Sequence, residues 1–436
     1  RLRMKQQNCK HSKDITLTLI NTADPDEWDL LLLQEPYIYP DSTLTSASAK
    51  WFPLYPICPP GKTPRSTILV SANISSNTFE QARIPSDTVT SISIHVVGGT
   101  IEVYNIYNPP DSDTALHDLQ NWLQRHPPTA SSSNIWLGDF NKHHPLWTAP
   151  EDSDRCHRSN SDLMLQLLAS YGMSLSLPPA TPTYQSDAHG TWSTIDLVFT
   201  DANLGDRIIS CTTSHTDRIP SADHLPIHTI LNTEIVLAHR EPRRNFRKVD
   251  WEKFQTTLCS VLEVEIPDAP NAKPDSPAAL DEFVLKLTSS IQHTIQKHVP
   301  QSRPTEYTKR WWTPELSTLR KKYSSLSRLE FQARNTSLQQ QFLEHRNRAR
   351  NEYNAAVKKA KQGHWKDWLE NISERDVWTA GKFAKNPLTD GGRTLIPTLH
   401  RKDQTGQLLA TFDTAPTKAK ALAELFFPPR PVTLPA

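Results

Sequence analysis

The sequence predicts an α/β fold: a two-sheet sandwich with helices outside over roughly the first 230 of its 436 residues, followed by a mostly helical, basic region. Three observations predict it. Short runs rich in Ile, Val, Leu or Tyr, most of them bounded by Gly, Pro, Asn or Asp, recur from Trp28 to Leu231. Two stretches with helical spacing interrupt them. After Leu231 the pattern changes to long helical periodicities crowded with Lys and Arg.

In chain order, the strands are expected over Trp28–Gln34, Thr67–Ala72, Val89–Val97, Thr100–Tyr107, Asn134–Leu137, Thr194–Phe199 and Pro226–Leu231. Ser91 to Val97 alternates cleanly, and Val96-Val97-Gly98-Gly99-Thr100 supplies a tight hairpin turn into the next strand. Helices are expected from about Asp113 to Gln124, with Leu116, Leu119 and Leu123 on one face, and from about Ser161 to Tyr171, with Leu163, Leu167 and Leu168. Beyond Leu231, residues 240–248 read as basic and irregular, and Pro267, Pro270, Pro274 and Pro277 mark a stiff linker. Leu280 to Val299 has helical spacing. Thr313-Pro314-Glu315 is a helix start, with Thr as N-cap and Pro at the first helical position. From Leu338, a stripe of Phe342, Ala349, Tyr353, Ala356, Ala360 and Trp368 continues, while Arg346, Arg348, Arg350, Lys358, Lys359 and Lys361 fill the other faces. The resulting division is 1–235, 236–310 (a Pro-rich basic linker with one amphipathic helix) and 311–436 (a basic helical region).

Charge separates the two halves. Residues 1–235 carry 15 Lys and Arg against 25 Asp and Glu, a formal net of −10, whereas the remainder holds 33 against 22, a net of +11. An acidic domain that handles a polyanion needs cations, and a basic segment supplies sequence-independent phosphate attraction. The five cysteines are far apart and never form a CxxC, so neither a disulfide framework nor a cysteine zinc site is encoded. The longest apolar patch is Leu30–Leu33, far short of the roughly 18 residues a spanning helix needs. No membrane partner is expected. The chain opens at Arg1 rather than Met, and a fragment of a longer chain is expected.

Several predicted strands end on carboxylate, amide, phenol or imidazole groups: Asn8, Glu35, Tyr107, Asp139 with Asn141, Asp196, and the Asp223-His224 pair near the last strand. Singly, Asp and Asn after a strand are usually turn formers. Together, at the converging ends of sandwich strands, they can share one site. Glu35 follows a run so apolar that its carboxylate requires a partner or a cation. Asp139 and Asn141 flank Phe140, so one can take a proton from water while the other directs that water. Asp196 and His224 suit an orienting pair in which a carboxylate supports an imidazolium beside a phosphate. His143-His144 lacks a third ligand at zinc spacing and is expected to be structural or DNA-facing. Trp147 and Trp311-Trp312 are expected in the core.

Gln-Asn at 7–8, Leu-Gln-Glu-Pro at 33–36, Ile-Tyr-Asn-Pro at 106–109, Gly-Asp-Phe-Asn at 138–141, Ser-Thr-Ile-Asp at 193–196 and Ser-Ala-Asp-His at 221–224 resemble, in that order, the endonuclease/exonuclease/phosphatase superfamily. Residues 1 to about 235 carry the resemblance. His-His-Pro-Leu-Trp at 143–147 and Gly190 to Asp196 are similar, more narrowly, to the apurinic-endonuclease-like domain of LINE-type (non-LTR) retrotransposon polyproteins. Residues 240–436, including Leu422 to Pro428, resemble the lead-in to a reverse transcriptase. No Asp-Asp pair exists, so a YxDD polymerase site is absent.

The resemblance implies a four-layered αββα sandwich, two packed mixed sheets flanked by helices, and a Mg²⁺-dependent endonuclease, with Mn²⁺ as a substitute. It nicks a DNA strand and leaves a 3′-hydroxyl. Glu35 would hold the metal with Asn8, and Asp223 would lie near it. Asp139 would activate water oriented by Asn141. Tyr107 would contact the scissile phosphate, and Asp196 with His224 would stabilise the transition state. Thr191, His143 and His144 would meet substrate, Thr191 by its spacing to Asp196. Ala222 separates Ser221 from Asp223, so the family's serine directly before Asp-His is missing. The implied partners are target DNA and, through the basic region, element RNA, in the nucleus. Two other readings stand beside this one: a phosphatase or phosphodiesterase acting on a small phosphate ester or lipid, and an inactive nucleic-acid-binding remnant.

Overall fold

The computed structural model describes residues 1–40, 44–46, 48, 50–129, 131–156, 160–187, 189–235, 244, 246, 249–267, 274–300, 311–371, 399–402, 408–412 and 415–426. The expected 240–248 stretch, apart from 244 and 246, lies outside them, as do residues 427–428 of the reverse-transcriptase-like motif.

The front domain runs β1 (Leu2–Asn8), α1 (Lys13–Thr22), β2 (Leu30–Gln34), β3 (Trp51–Leu54), β4 (Ser66–Ser71), β5 (Phe79–Ala82), β6 (Val89–Val96), β7 (Gly99–Tyr107), α2 (Thr114–Arg125), β8 (Ser132–Asp139), α3 (Ser153–Cys156), α4 (Asp162–Ser170), β9 (Ser174–Leu175), β10 (Tyr184–Gln185), β11 (Trp192–Ser193), β12 (Asp196–Thr200), α5 (Ala202–Gly205), β13 (Ile208–Thr213) and β14 (Ile227–Leu231). Two mixed six-stranded sheets result, in the orders β13-β14-β1-β2-β4-β3 and β5-β6-β7-β8-β12-β9.

Their layering follows from which faces are apolar. Leu30 and Leu32 of β2 enter the core between the sheets with Met4, Ile68, Val103 and Leu137, whereas Leu31 and Leu33 pack outward beneath Ile15 and Leu19 of α1. A strand buried on both faces reads as an unbroken apolar run, which explains Leu30–Leu33. On the far side, Leu116, Leu119 and Leu123 of α2 and Leu167 of α4 cover Tyr104, Trp136 and Phe199. The order is helix, sheet, sheet, helix, the αββα sandwich expected. Trp147 is fully buried in this last layer, as expected.

The sequence pattern missed the two-residue strands β10 and β11 and, in the two six-stranded sheets, β3, β5, β9 and β13, each of which lies at the edge of its sheet. Edge strands face water on more sides and carry weaker apolar patterns; β3 even contains Pro53, tolerated where a ladder bond is missing. α1 was also missed, because its Ile and Thr residues favour strands locally. Capping by Ser12, which accepts from Ile15 N, and burial of Ile15, Leu19 and Ile20 override that preference.

Gly138 permits the closest approach between strands. At φ +149° its Cβ position would sit 1.8 Å from the Ile106 carbonyl oxygen of the paired strand β7. Gly138→Ala is therefore expected to destabilise the domain by about 3 kcal/mol or more. Chemical denaturation checks this; a midpoint unchanged from the parent would show that the β7–β8 pair can spread freely.

Residues 239–308 form a compact unit of their own. It contains two helices, α6 (Trp251–Glu265) and α7 (Pro277–His298), where the sequence reading expected one. None of the side chains of α6 is buried, so its apolar residues gave little periodic contrast. The other unit joins residues 1–238 to 309–436. In it, α8 (Pro314–Gln332) begins with Thr313 as N-cap and Pro314 at the first position, as expected, and α9 (Gln339–Glu370) is the long basic helix. A hairpin of β15 (Leu399–Lys402) and β16 (Leu408–Phe412) and a helix, α10 (Ala415–Phe426), follow. Trp311 and Trp312 are half-buried rather than core, and the Trp312 ring nitrogen donates to Ser317 Oγ at 2.8 Å.

One basic residue corrects the sequence reading. Arg346, expected on a solvated face of α9, is 4% exposed. It meets Glu330 of α8 at 3.5 Å and also donates to the Gln185 side-chain Oε1. Gln185 Nε2 donates to Glu330 Oε1 at 2.7 Å, and Arg218 donates to Gln185 Oε1 at 2.8 Å. These four buried residues fasten the α8–α9 hairpin to the front domain. Phe331 stacks on His215 beside them, with ring centroids 3.4 Å apart.

Candidate active site

Strand direction gathers the candidate residues. β1 and β2 are parallel, with Asn8 paired to Gln34, so Asn8 and Glu35 leave the first sheet at the same end. β7 and β8 are parallel and pair Tyr107 with Asp139, while antiparallel β12 begins there, pairing Asp196 with Asp139. His224 precedes β14, whose Ile227 pairs with Gln6. All of these positions therefore fall on one rim of the sandwich. At this rim a cleft of about 590 Å³ is lined by Asn8, Glu35, Tyr107, Asp139, Asn141, Asp223 and His224, with Asp196 held against His224.

Asp139, Asp196 and His224 are buried and offer ligand atoms within 4.8 Å of one another. His224 Nδ1 lies 2.8 Å from Asp196 Oδ2, and its Nε2 lies 3.9 Å from Asp139 Oδ2. Burial favours the neutral imidazole, but Asp196 and then Asp139 outweigh it and raise its pKa to about 10. Asp139 accepts from the Asn8 side-chain amide at 2.8 Å and from Asn141 N at 3.1 Å. Burial, with the Asp196 charge next, pushes Asp139 up to about 8. Asn141 has φ +49°, and its side chain donates to the Asn108 carbonyl at 2.9 Å. Thr183 Oγ1 accepts from the Ile195 and Asp196 amides at 3.1 and 3.0 Å, which fixes the start of β12.

Glu35 stands on the same cleft but outside that tight cluster. Its carboxylate meets Arg65 at 2.5 Å and His11 at 3.1 Å. Burial opposes ionisation, yet His11, Tyr107 and Arg65 hold its pKa down at about 2. Tyr107 accepts from Arg65 at 3.0 Å while donating to Glu35, and burial with that carboxylate raises the phenol's pKa. Asp223 carries Lys10 at 2.9 Å, and the same ammonium reaches Asp187 at 2.6 Å.

The remaining candidates divide. His143 lines the cleft. His144 packs on Trp147, with centroids 5.2 Å apart, and its Nδ1 accepts from Leu146 N at 3.2 Å. Among the described residues neither histidine joins a metal-ligating group. Thr191 lies outside this cleft; its hydroxyl accepts from Arg155 at 3.0 Å, and it lines an adjoining groove. Ser221 has φ +77° and accepts from Asn354 of α9 at 2.8 Å. The sequence reading missed Lys10, His11, Arg65 and Tyr184. Lys10 and His11 follow Asn8 closely and share left-handed backbone, whereas Arg65 comes from the loop before β4 and Tyr184 from the short strand β10, neither with a local signature.

The donors fit a hard divalent cation. They are carboxylate and amide oxygens at a water-accessible rim, together with one buried acid, Asp139, whose ionised form burial and the Asp196 charge disfavour and a nearby cation would favour.

A layered sandwich with acids, amides and an imidazole at one strand-end rim is the arrangement that the resemblance to the endonuclease/exonuclease/phosphatase superfamily implies. Residues 101–228 match the family described as endonuclease-reverse transcriptase, a segment that holds Tyr107, Asp139, Asn141, Asp196 and His224. This segment of the chain is similar to that family, in line with the resemblance seen in the sequence motifs. Among solved structures, the endonuclease domain of TRAS1, a telomere-specific non-LTR retrotransposon, is 19% identical, with 53% of this chain and 99% of that chain covered at a TM-score of 0.43. An AP endonuclease from Archaeoglobus fulgidus is 18% identical, with 53% and 100% covered at 0.40. A 3′-5′ exonuclease from Neisseria meningitidis is 15% identical, with 53% and 99% covered at 0.40. No curated protein sequence matches the chain. Among the described residues no helix is long and apolar enough to cross a membrane.

Proposed function

We propose that residues 1–235 are a divalent-metal-dependent DNA endonuclease of a non-LTR retroelement, nicking target DNA in the nucleus to leave a 3′-hydroxyl. Residues 236–310 join it to a basic region, 311–436, that leads toward a polymerase and contacts element RNA. The observation that carries this reading is the convergence of Asn8, Glu35, Tyr107, Asp139, Asn141 and His224 on one cleft, with Asp196 against His224, from six strand ends or neighbouring loops.

The chemistry follows from the side chains. Asp139, held between Asn8 and Asn141, takes a proton from the attacking water as the nucleophile forms. The His224 imidazolium, supported by Asp196, faces the negative charge that develops on the phosphoryl oxygens. The Arg65–Tyr107 pair can hold a non-bridging oxygen at the opposite edge. Glu35 and Asn8, with Asp223 nearby, would hold Mg²⁺ or Mn²⁺. The bound ion supplies charge neutralisation and orients phosphate oxygens.

With supercoiled plasmid and Mg²⁺, the full chain is expected to produce open circles, and Asp139→Ala none. Equal behaviour of the two proteins, or hydrolysis confined to a small phosphate ester, rejects the nuclease reading; the second result would favour the phosphatase alternative.

A further inference from the structure

Next to the cleft lies a second concavity, about 440 Å³, whose walls come from distant parts of the chain. One wall is the 189–194 segment around β11; the other is the turn between α8 and α9, from Arg334 to Leu343. Gly190, at φ +66°, lets the walls meet: a Cβ there would stand 3.2 Å from Leu343 Cδ2. Gln339 Nε2 donates across the junction to the Gly190 carbonyl at 3.3 Å. The buried Gln185, Arg218, Glu330 and Arg346 behind it keep the hairpin in place.

The groove continues the cleft. Ser193 lines both, and Arg155, which lines the cleft, donates to Thr191 in the groove. Ser193 precedes Asp196 by three residues, roughly 10 Å of extended chain. That is about three base-pair rises along the axis of B-form DNA. The chemistry of the walls suits phosphate oxygens. Arg334 lies against the Phe331 ring at 3.9 Å and has no carboxylate within ion-pair distance among the described residues. Asn335, Gln339 and Gln340 add amide donors, and Asp152, the acid in the lining, is paired with Arg155 at 3.5 Å. The front domain, at net −10, therefore borrows cationic and donor groups from the basic half of the chain.

We propose that this groove is a second nucleic-acid subsite, completed by the C-terminal hairpin, which holds the phosphodiester backbone of DNA flanking the scissile phosphate. This rests on the nuclease reading for its substrate and extends it to a surface outside the superfamily domain.

The test uses the full chain and a fluorescent DNA duplex without divalent metal, with anisotropy read across a salt series. Arg334→Gln is expected to weaken binding about fivefold and make the log–log salt slope shallower by about one, the signature of one lost phosphate contact. Gln340→Lys, on an exposed side chain, is expected to do the reverse, and circular dichroism checks that Arg334→Gln remains folded. If the parent nicks plasmid while both variants keep its slope and affinity, the subsite is overturned and the nuclease reading stands. If the parent fails to nick but the two slopes shift in opposite directions, the subsite stands and the nuclease reading falls.

Discussion

Replacing His224 by glutamine is expected to lower the rate of plasmid nicking by about 10³-fold with little change in KM. The imidazole is buried, and burial alone would leave it neutral. Asp196 at 2.8 Å and Asp139 outweigh that cost and raise its pKa to about 10, so a cation faces the cleft at neutral pH. Glutamine can replace hydrogen bonds but not this charge. Because the charge matters as negative charge develops on the phosphate, the loss belongs in kcat. Asp196→Asn keeps the shape and removes the supporting carboxylate; about a 10²-fold loss is expected. Single-turnover nicking measures both. Rates within threefold of the parent for both variants would remove the pair from the chemistry.

The second large effect concerns stability and lies outside the superfamily domain. Glu330→Ala is expected to cost about 3–5 kcal/mol, because it leaves Arg218 and Arg346 buried with no carboxylate between them. Arg346 is already the strained partner: burial and then Arg218 lower its pKa to about 10. The loss should spread to the active site. Gln185, which Glu330 holds, donates its backbone N–H to the Asp223 carbonyl at 2.8 Å, and the neighbouring Tyr184 ring lies 4.8 Å from that of His224. Urea unfolding of the full chain measures the cost; a change below about 1 kcal/mol would mean that the hairpin contributes little to the fold.

The same junction has a pH dependence of definite sign. Burial, then Arg218 and Arg334, depress the His215 pKa to about 4. The folded chain therefore favours the neutral ring, and the unfolded chain takes up a proton first. Stability from this site is present above about pH 6.5 and is lost as pH falls toward 4. The destabilisation on acidification that Glu330→Ala and the parent share should shrink in His215→Gln.

Much of the fold was legible because it depends on local pattern. The apolar run Leu30–Leu33, the alternation of Ser91–Val97 and the Thr313-Pro314 cap each specify an element through burial on two faces, burial on one face or an N-terminal bond. The edges β3, β5, β9 and β13 were illegible because a half-solvated strand needs little apolar contrast, and α1 because its β-branched residues become helical only under the first sheet. At the candidate site, Asp139, Asn141, Asp196 and His224 could be singled out by residue type and order, but not the Arg65 and His11 contacts that neutralise Glu35 or the Lys10 contact on Asp223.

By itself the sequence determined the interior strands and most of the longer helices, which residues could carry phosphate chemistry, and that charge divides between an acidic front and a basic back. Only the tertiary structure decided that Glu330 and Arg346, which look like surface residues of charged helices, are interior, and that the α8–α9 turn adjoins the cleft. The physical reason is range: hydrophobic period and capping act within a few residues, whereas a buried hydrogen bond or a shared groove between positions some 150 apart, such as Gln185 and Glu330 at a separation of 145, exists only once both surfaces have packed.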